Sequence, residues 1–142
     1  MVCFGMQDQD CKDCRDCNND GKIDFWVKKL EDGFTEYKSD TDYDGTADII
    51  IYRNGRWMIS FSDFNHDGIM DSWDVAYDKI PIISYQHNFS IFNNALISVF
   101  YKDENGKPTK WLTVNKEITE QLELWDDNED MFPDRWELSK CK

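Results

Sequence analysis

The sequence predicts a mainly β fold of consecutive antiparallel β-hairpins linked by acidic loops, with little helix. Three observations carry that prediction. A nine-residue acidic string recurs with starts 24 and then 23 residues apart. Apolar runs of strand length follow each of the first two copies, and turn residues split those runs in half.

The string reads D-x-[DN]-x-D-G-x-x-D. Its first copy is Asp16, Asn18, Asp20, Gly21, Asp24; its second is Asp40, Asp42, Asp44, Gly45, Asp48; its third is Asp63, Asn65, Asp67, Gly68, Asp71. A fourth copy, Asp126, Asn128, Asp130, Asp134, has Met131 where the glycine stands in the others. An apolar or small residue precedes the last acid in each copy (Ile23, Ala47, Met70, Pro133), and Trp26, Ile50, Trp73 or Trp136 follows it by two. Each loop therefore has an apolar plug and a bulky anchor.

After the first loop, a strand over Phe25–Leu30, a turn at Glu31-Asp32-Gly33 and a return strand over Phe34–Ser39 are expected. After the second come Ile49–Tyr52, a turn at Asn54-Gly55, and Arg56–Ser62, the Asn-Gly pair being a strong two-residue turn signal. The third copy breaks the rhythm, because Pro81 lies within the β-rich run Val75–Tyr85 and demotes it to an edge or interrupted strand. A further hairpin is expected over Ala95–Val114, turning within Asp103-Glu104-Asn105-Gly106; it also reads as a decayed repeat that has lost the carboxylates of a site. Residues Lys116–Leu124 fit either a short helix or a strand.

The 142 residues suit one repeat domain: a Cys-rich segment over 1–15, three loop–hairpin repeats over 16–74, an irregular β-rich middle over 75–125, and the degenerate fourth loop over 126–142. With 40% hydrophobic and 15% aromatic residues, there is enough apolar material for a modest core. A net charge of −13 disfavours nucleic acid and anionic membranes as partners of the bare chain and favours cations. Clustered carboxylates repel one another unless something neutralises them, which points to a metal.

Calcium is the ion this pattern suits. It takes six to eight oxygens at about 2.3–2.6 Å, and alternating acids on a tightly curved loop converge on one point. Positions one, three and five supply side-chain oxygens, and position nine ligates directly or through water. Position seven supplies a backbone carbonyl, which suits the varied residues Lys22, Thr46, Ile69 and Phe132. At position twelve, where a bidentate acid completes such a shell, the third loop offers Asp74 and the fourth Glu137, whereas the first two have Val27 and Ile51. Three calcium ions are expected, with a fourth depending on the loop that lacks glycine. Four ions would reduce the charge from −13 to −5.

This string, with Trp and an acid shortly after it as in Asp126–Glu137, resembles thrombospondin type 3 repeats and related tandem repeats of bacterial envelope lipoproteins. It is also similar to the calcium loops of integrin-type propellers and of dockerins. The resemblance covers about half of the chain, and Val75–Trp125 departs from it. It implies calcium-dependent rigidity in secreted or surface proteins and does not imply catalysis.

Five cysteines, four in the first 17 residues and Cys141 near the other end, point to an oxidising compartment, periplasmic or extracellular. Disulfides clamping the ends, with Cys14 or Cys17 paired to Cys141, compete with a four-thiolate metal site of Cys11, Cys14, Cys17 and Cys141. The interleaved Asp10, Asp13 and Asp16 disfavour a reactive thiolate. Met1-Val2-Cys3 fits the remnant of a lipid-anchored form acylated at Cys3, without the small residues that should precede it, and no run is long and apolar enough to span a bilayer. His66 and His87 read as surface or packing residues, and Trp57, Trp111 and Trp125 as available for surface roles. No nucleophile–base pairing, phosphate loop or zinc-protease helix is present, so the expectation is a non-enzymatic calcium-binding protein whose partner is another protein or a cell-surface component. The alternative is an immunity or inhibitor protein that neutralises a secreted toxin.

Overall fold

The computed structural model describes residues 13–84, 96–102, 104, 108–115 and 119–140. Among them are ten strands and no helix, so the mainly β expectation holds. The strands are β1 (Phe25–Lys29), β2 (Thr35–Ser39), β3 (Ile49–Asn54), β4 (Trp57–Ser62), β5 (Ser72–Tyr77), β6 (Ile80–Ser84), β7 (Leu96–Lys102), β8 (Pro108–Asn115), β9 (Glu120–Trp125) and β10 (Arg135–Lys140). They form a six-stranded sheet in the order β1-β2-β3-β4-β5-β6 and a four-stranded sheet in the order β10-β9-β8-β7. The chain divides into two compact units, Met1–Lys79 and Ile80–Lys142.

In the first unit every strand pairs antiparallel with the next, from β1 to β5. Side chains opposite one another share a face. The register therefore puts Trp26, Lys38, Ile50, Phe61 and Trp73 in one cross-strand row. The neighbouring rows on that face hold Tyr52, Ile59 and Val75, then Trp57 and Tyr77. Burial is complete at the β4–β5 end, where Trp57, Ile59, Phe61, Trp73 and Val75 are all core residues. Each such side chain contributes about 1.5–3 kcal/mol or more relative to exposure. Trp57 packs edge-on against Tyr77 at 5.1 Å, which removes it from any surface role.

The β3–β4 hairpin corrects the expected turn by one residue. Asn54 pairs with Trp57, so Gly55 and Arg56 are the two turn residues. Only Gly55 has positive φ (60°), the pattern of a type II′ turn with glycine in its first central place rather than an Asn-Gly type I′ turn. The type I′ pattern occurs instead after β5, where Asp78 (φ 50°) and Lys79 (φ 66°) are both left-handed.

In the second unit Pro81 is exposed on β6, the last strand in its sheet order, as a strand residue without an N–H should be. Antiparallel pairing joins β7 to β8, β8 to β9 and β9 to β10. The undecided stretch before Trp125 is strand β9 from Glu120 onward, because Leu122 and Leu124 are buried while Gln121 and Glu123 are half-exposed. Trp111, Leu124 and Trp136 share one row, and Thr113, Leu122 and Leu138 the next. Trp111 is fully buried, so it too is a core residue.

One backbone device recurs. The pairs Arg15–Phe25, Ser39–Ile49, Ser62–Ser72 and Trp125–Arg135 close the four acidic loops at equivalent places. Each following loop is tied back, since Asp40 N–H donates to the Asp24 carbonyl and Asp63 N–H to the Asp48 carbonyl, both at 2.8 Å. In the second unit Asp126 N–H donates to the Thr109 carbonyl at 3.0 Å, which puts Thr109 where a ninth-position aspartate stands. Two residues later Trp111 takes the anchor position of Trp26, Trp73 and Trp136. The pair Tyr101–Lys110 closes the β7–β8 connection, which is one residue shorter than the acidic loops. Apart from Glu104, its expected turn residues lie outside the described residues, as do Cys3, Cys11, Cys141 and His87. Cys14 is buried and, like Cys17, disulfide-bonded, so neither is a free thiolate.

Candidate metal centres

Antiparallel order puts the first three loops at one end of the sheet and the hairpin turns at the other. The loops stand on alternate strands, so neighbours are roughly 10 Å apart.

Within each loop the first aspartate is buried: Asp16, Asp40, Asp63 and Asp126 are each 2–3% exposed. They are buried because backbone N–H groups satisfy them. Gly21, Gly45, Gly68 and Met131 donate to the first aspartate at 2.7, 2.7, 2.8 and 2.9 Å. The fifth-position N–H groups of Asp20, Asp44, Asp67 and Asp130 donate to its other oxygen at 3.2–3.3 Å. The ninth-position carboxylate reaches back across the loop: Asp24, Asp48, Asp71 and Asp134 accept the second-position N–H at 2.9, 2.7, 2.7 and 2.6 Å. The fifth-position side chain accepts the N–H of Lys22, Thr46, Ile69 or Phe132 at 2.8–2.9 Å. These bonds tie the carboxylates to the curved backbone of each loop, with the ninth-position acids accepting through Oδ2.

The fourth loop has the same bonds and the same backbone. Met131 sits at φ 76° where Gly21, Gly45 and Gly68 sit at 88–96°. The fourth position is left-handed in every copy, at Asn19, Tyr43, His66 and Glu129 (φ 58–64°). Glycine is thus dispensable for the geometry here, at a cost of about 1–2 kcal/mol for a side chain in that region. Arg135 braces this loop, donating to Asp127 at 2.8 Å while its guanidinium lies 4.3 Å over the Trp125 ring. Burial raises the Asp126 carboxyl above its ordinary value, against the N–H bonds from Met131 and Asp130.

Position twelve lies inside the strands. Val27, Tyr37, Ile51, Ser60 and Asp74 form a single cross-strand row, and Glu137 on β10 pairs with Glu123 on β9. Asp74 is half-buried and Glu137 exposed. Among the described residues, His, Cys, Asp and Glu ligand atoms within 4.8 Å of one another form two triads, Asp40–Asp42–Asp44 and Asp42–Asp48–His66. Both contain Asp42 of the second loop, and neither Asp74 nor Glu137 joins them.

His66 is the residue that sequence reasoning missed. It is the fourth residue of the third loop, yet its Nδ1 lies 2.9 Å from Asp48 Oδ1 and 3.5 Å from Asp42 Oδ2 of the second. The bond to Asp48, with the charges of Asp48, Asp42 and Asp63, holds the imidazole above its ordinary pKa against an opposing burial effect. Burial would raise Asp48, but the Thr41 hydroxyl at 2.6 Å, the Thr41 N–H and His66 together hold it below the usual carboxylate value. Asp42 is shifted up by desolvation and by the facing Asp40, Asp44 and Asp48. Only the alternation of loops with strand pairs brings position four of one loop beside its predecessor.

Among the described residues no helix is long and apolar enough to cross a membrane. No family model, curated protein or solved structure matches the chain.

Proposed function

We propose that this is a non-enzymatic calcium-binding protein in which the ions rigidify a β-repeat scaffold for interaction with a protein or surface partner. The observation that carries the reading is the fourfold recurrence of one loop geometry, with its buried first aspartate, its carboxylates bonded to backbone N–H groups and its left-handed turn. An isolated acidic turn explains one such loop; four copies in equivalent backbone settings argue for a shared ligand. The repeated ligand set is all oxygen in every loop: Asp16, Asn18, Asp20 and Asp24; Asp40, Asp42, Asp44 and Asp48; Asp63, Asn65, Asp67 and Asp71; Asp126, Asn128, Asp130 and Asp134. Hard oxygen ligands of this number favour calcium over magnesium, which retains more water and a smaller shell. Asp74 and Glu137 stand three residues beyond their loops, so water or backbone carbonyls complete the shells unless those strand residues turn inward. The disulfide-bonded Cys14 and Cys17 support export to an oxidising compartment, periplasmic or extracellular.

Calorimetry tests the reading. Metal-free protein titrated with calcium gives more than one binding event, and its stability rises by RT ln(1 + [L]/Kd) per site, about 2.7 kcal/mol at a hundredfold excess over Kd, raising the melting temperature with it. Neither heat nor a melting shift at millimolar calcium would sink it.

A further inference from the structure

The second loop differs from the others in chemistry as well as in position. Its four carboxylates, Asp40, Asp42, Asp44 and Asp48, fall into the two triads that share Asp42, and the outer one is completed by the imidazole of His66 from the next loop. We infer that Asp42, Asp48 and His66 form a distinct nitrogen–oxygen site for a borderline transition ion such as zinc, flanking the all-oxygen position and cross-linking the second and third loops. The inference rests on the same reading of these loops as metal sites, and it adds a second metal class and a residue outside the repeated ligand pattern.

Geometry and ligand chemistry both support it. Ligands about 2.0–2.2 Å from a tetrahedral ion lie about 3.3–3.6 Å apart. The imidazole nitrogen is 2.9 and 3.5 Å from its two carboxylate oxygens, so small side-chain rotations suffice. Imidazole nitrogen suits zinc and its neighbours, whereas calcium takes oxygen. The Thr41 hydroxyl and N–H fix Asp48 through Oδ2, which leaves Oδ1 facing the imidazole. Such a partner on a ligand's second oxygen orients it as metal sites require. His66 and Asp42 are about 40% and 36% exposed, so an ion has access, while Asp48 is nearly closed off at 3%. These three ligands leave a fourth position on the ion open to water or a partner's side chain.

The test uses the full, disulfide-intact chain stripped of metal and titrated separately with zinc and with calcium, in wild type, His66→Gln and, as control, His87→Gln. One zinc event should shift the His66 imidazole resonances, survive His87→Gln and weaken more than about tenfold in His66→Gln, since even an outer-shell partner of a ligand is worth that much. Calcium stoichiometry should be the same in all three. Zinc binding that is absent, or equal in wild type and His66→Gln, would overturn the site while leaving the calcium reading intact. His66-dependent zinc binding without any calcium heat would support the site and overturn the calcium reading.

Discussion

Asp40 and Asp42 lie two residues apart in one loop, and their surroundings give them different work. Asp40 is 3% exposed and accepts the N–H groups of Gly45 and Asp44, so it holds the loop's shape whether or not metal is present. Asp42 is exposed and faces three other carboxylates. Asp40→Ala should therefore destabilise the metal-free protein by about 1–3 kcal/mol, the cost of stranding buried donors. Asp42→Ala should leave the metal-free protein no less stable and reveal itself only as lost metal binding. Urea unfolding of both variants, with and without calcium, checks this; equal losses without metal would show that Asp42 is structural too. The sequence showed both residues as equivalent positions of one string. It could not show that one points into the loop's own N–H groups and the other toward a histidine 24 residues on.

At the scale of the element, the hairpins were legible where strand length and turn chemistry agreed. The β1–β2 hairpin ends as expected near Leu30 and Phe34, and β9 was recoverable from the alternation of Leu122 and Leu124 with polar neighbours. The β3–β4 turn was misread because Asn54-Gly55 has two solutions, and the ladder pairing Asn54 with Trp57 selects the one with glycine first. Asp78 and Lys79 carry both left-handed residues of the next turn without any glycine. Lys79 is exposed, so Lys79→Gly removes backbone strain without loss of packing. It should stabilise the fold by about 1 kcal/mol, roughly 3–5 °C in melting temperature. A melting temperature that stays the same or falls would show that the strain is relieved elsewhere.

For the whole molecule, charge is the governing quantity. At −13 the metal-free chain is held together against its own repulsion, with the carboxylates concentrated in the loops. Raising monovalent salt so that the screening length falls from about 30 to about 8 Å should raise the melting temperature of the metal-free protein more than that of the calcium-loaded protein. Scanning calorimetry at the two ionic strengths compares them, and an equal response would mean that the loop carboxylates are not the source of the strain. The sequence by itself determined the β class, the four loops and their likeness to one another, because those follow from residue type at fixed short spacing. Tertiary structure decided the rest. Sheet order sets the first three loops along one end of the six-stranded sheet and brings His66 to Asp48; cross-strand register buries Trp57 and Trp111; and a backbone hydrogen bond puts Thr109 where the other units have a ninth-position aspartate. These are contacts between residues far apart in the chain, set by pairing geometry that no local pattern encodes.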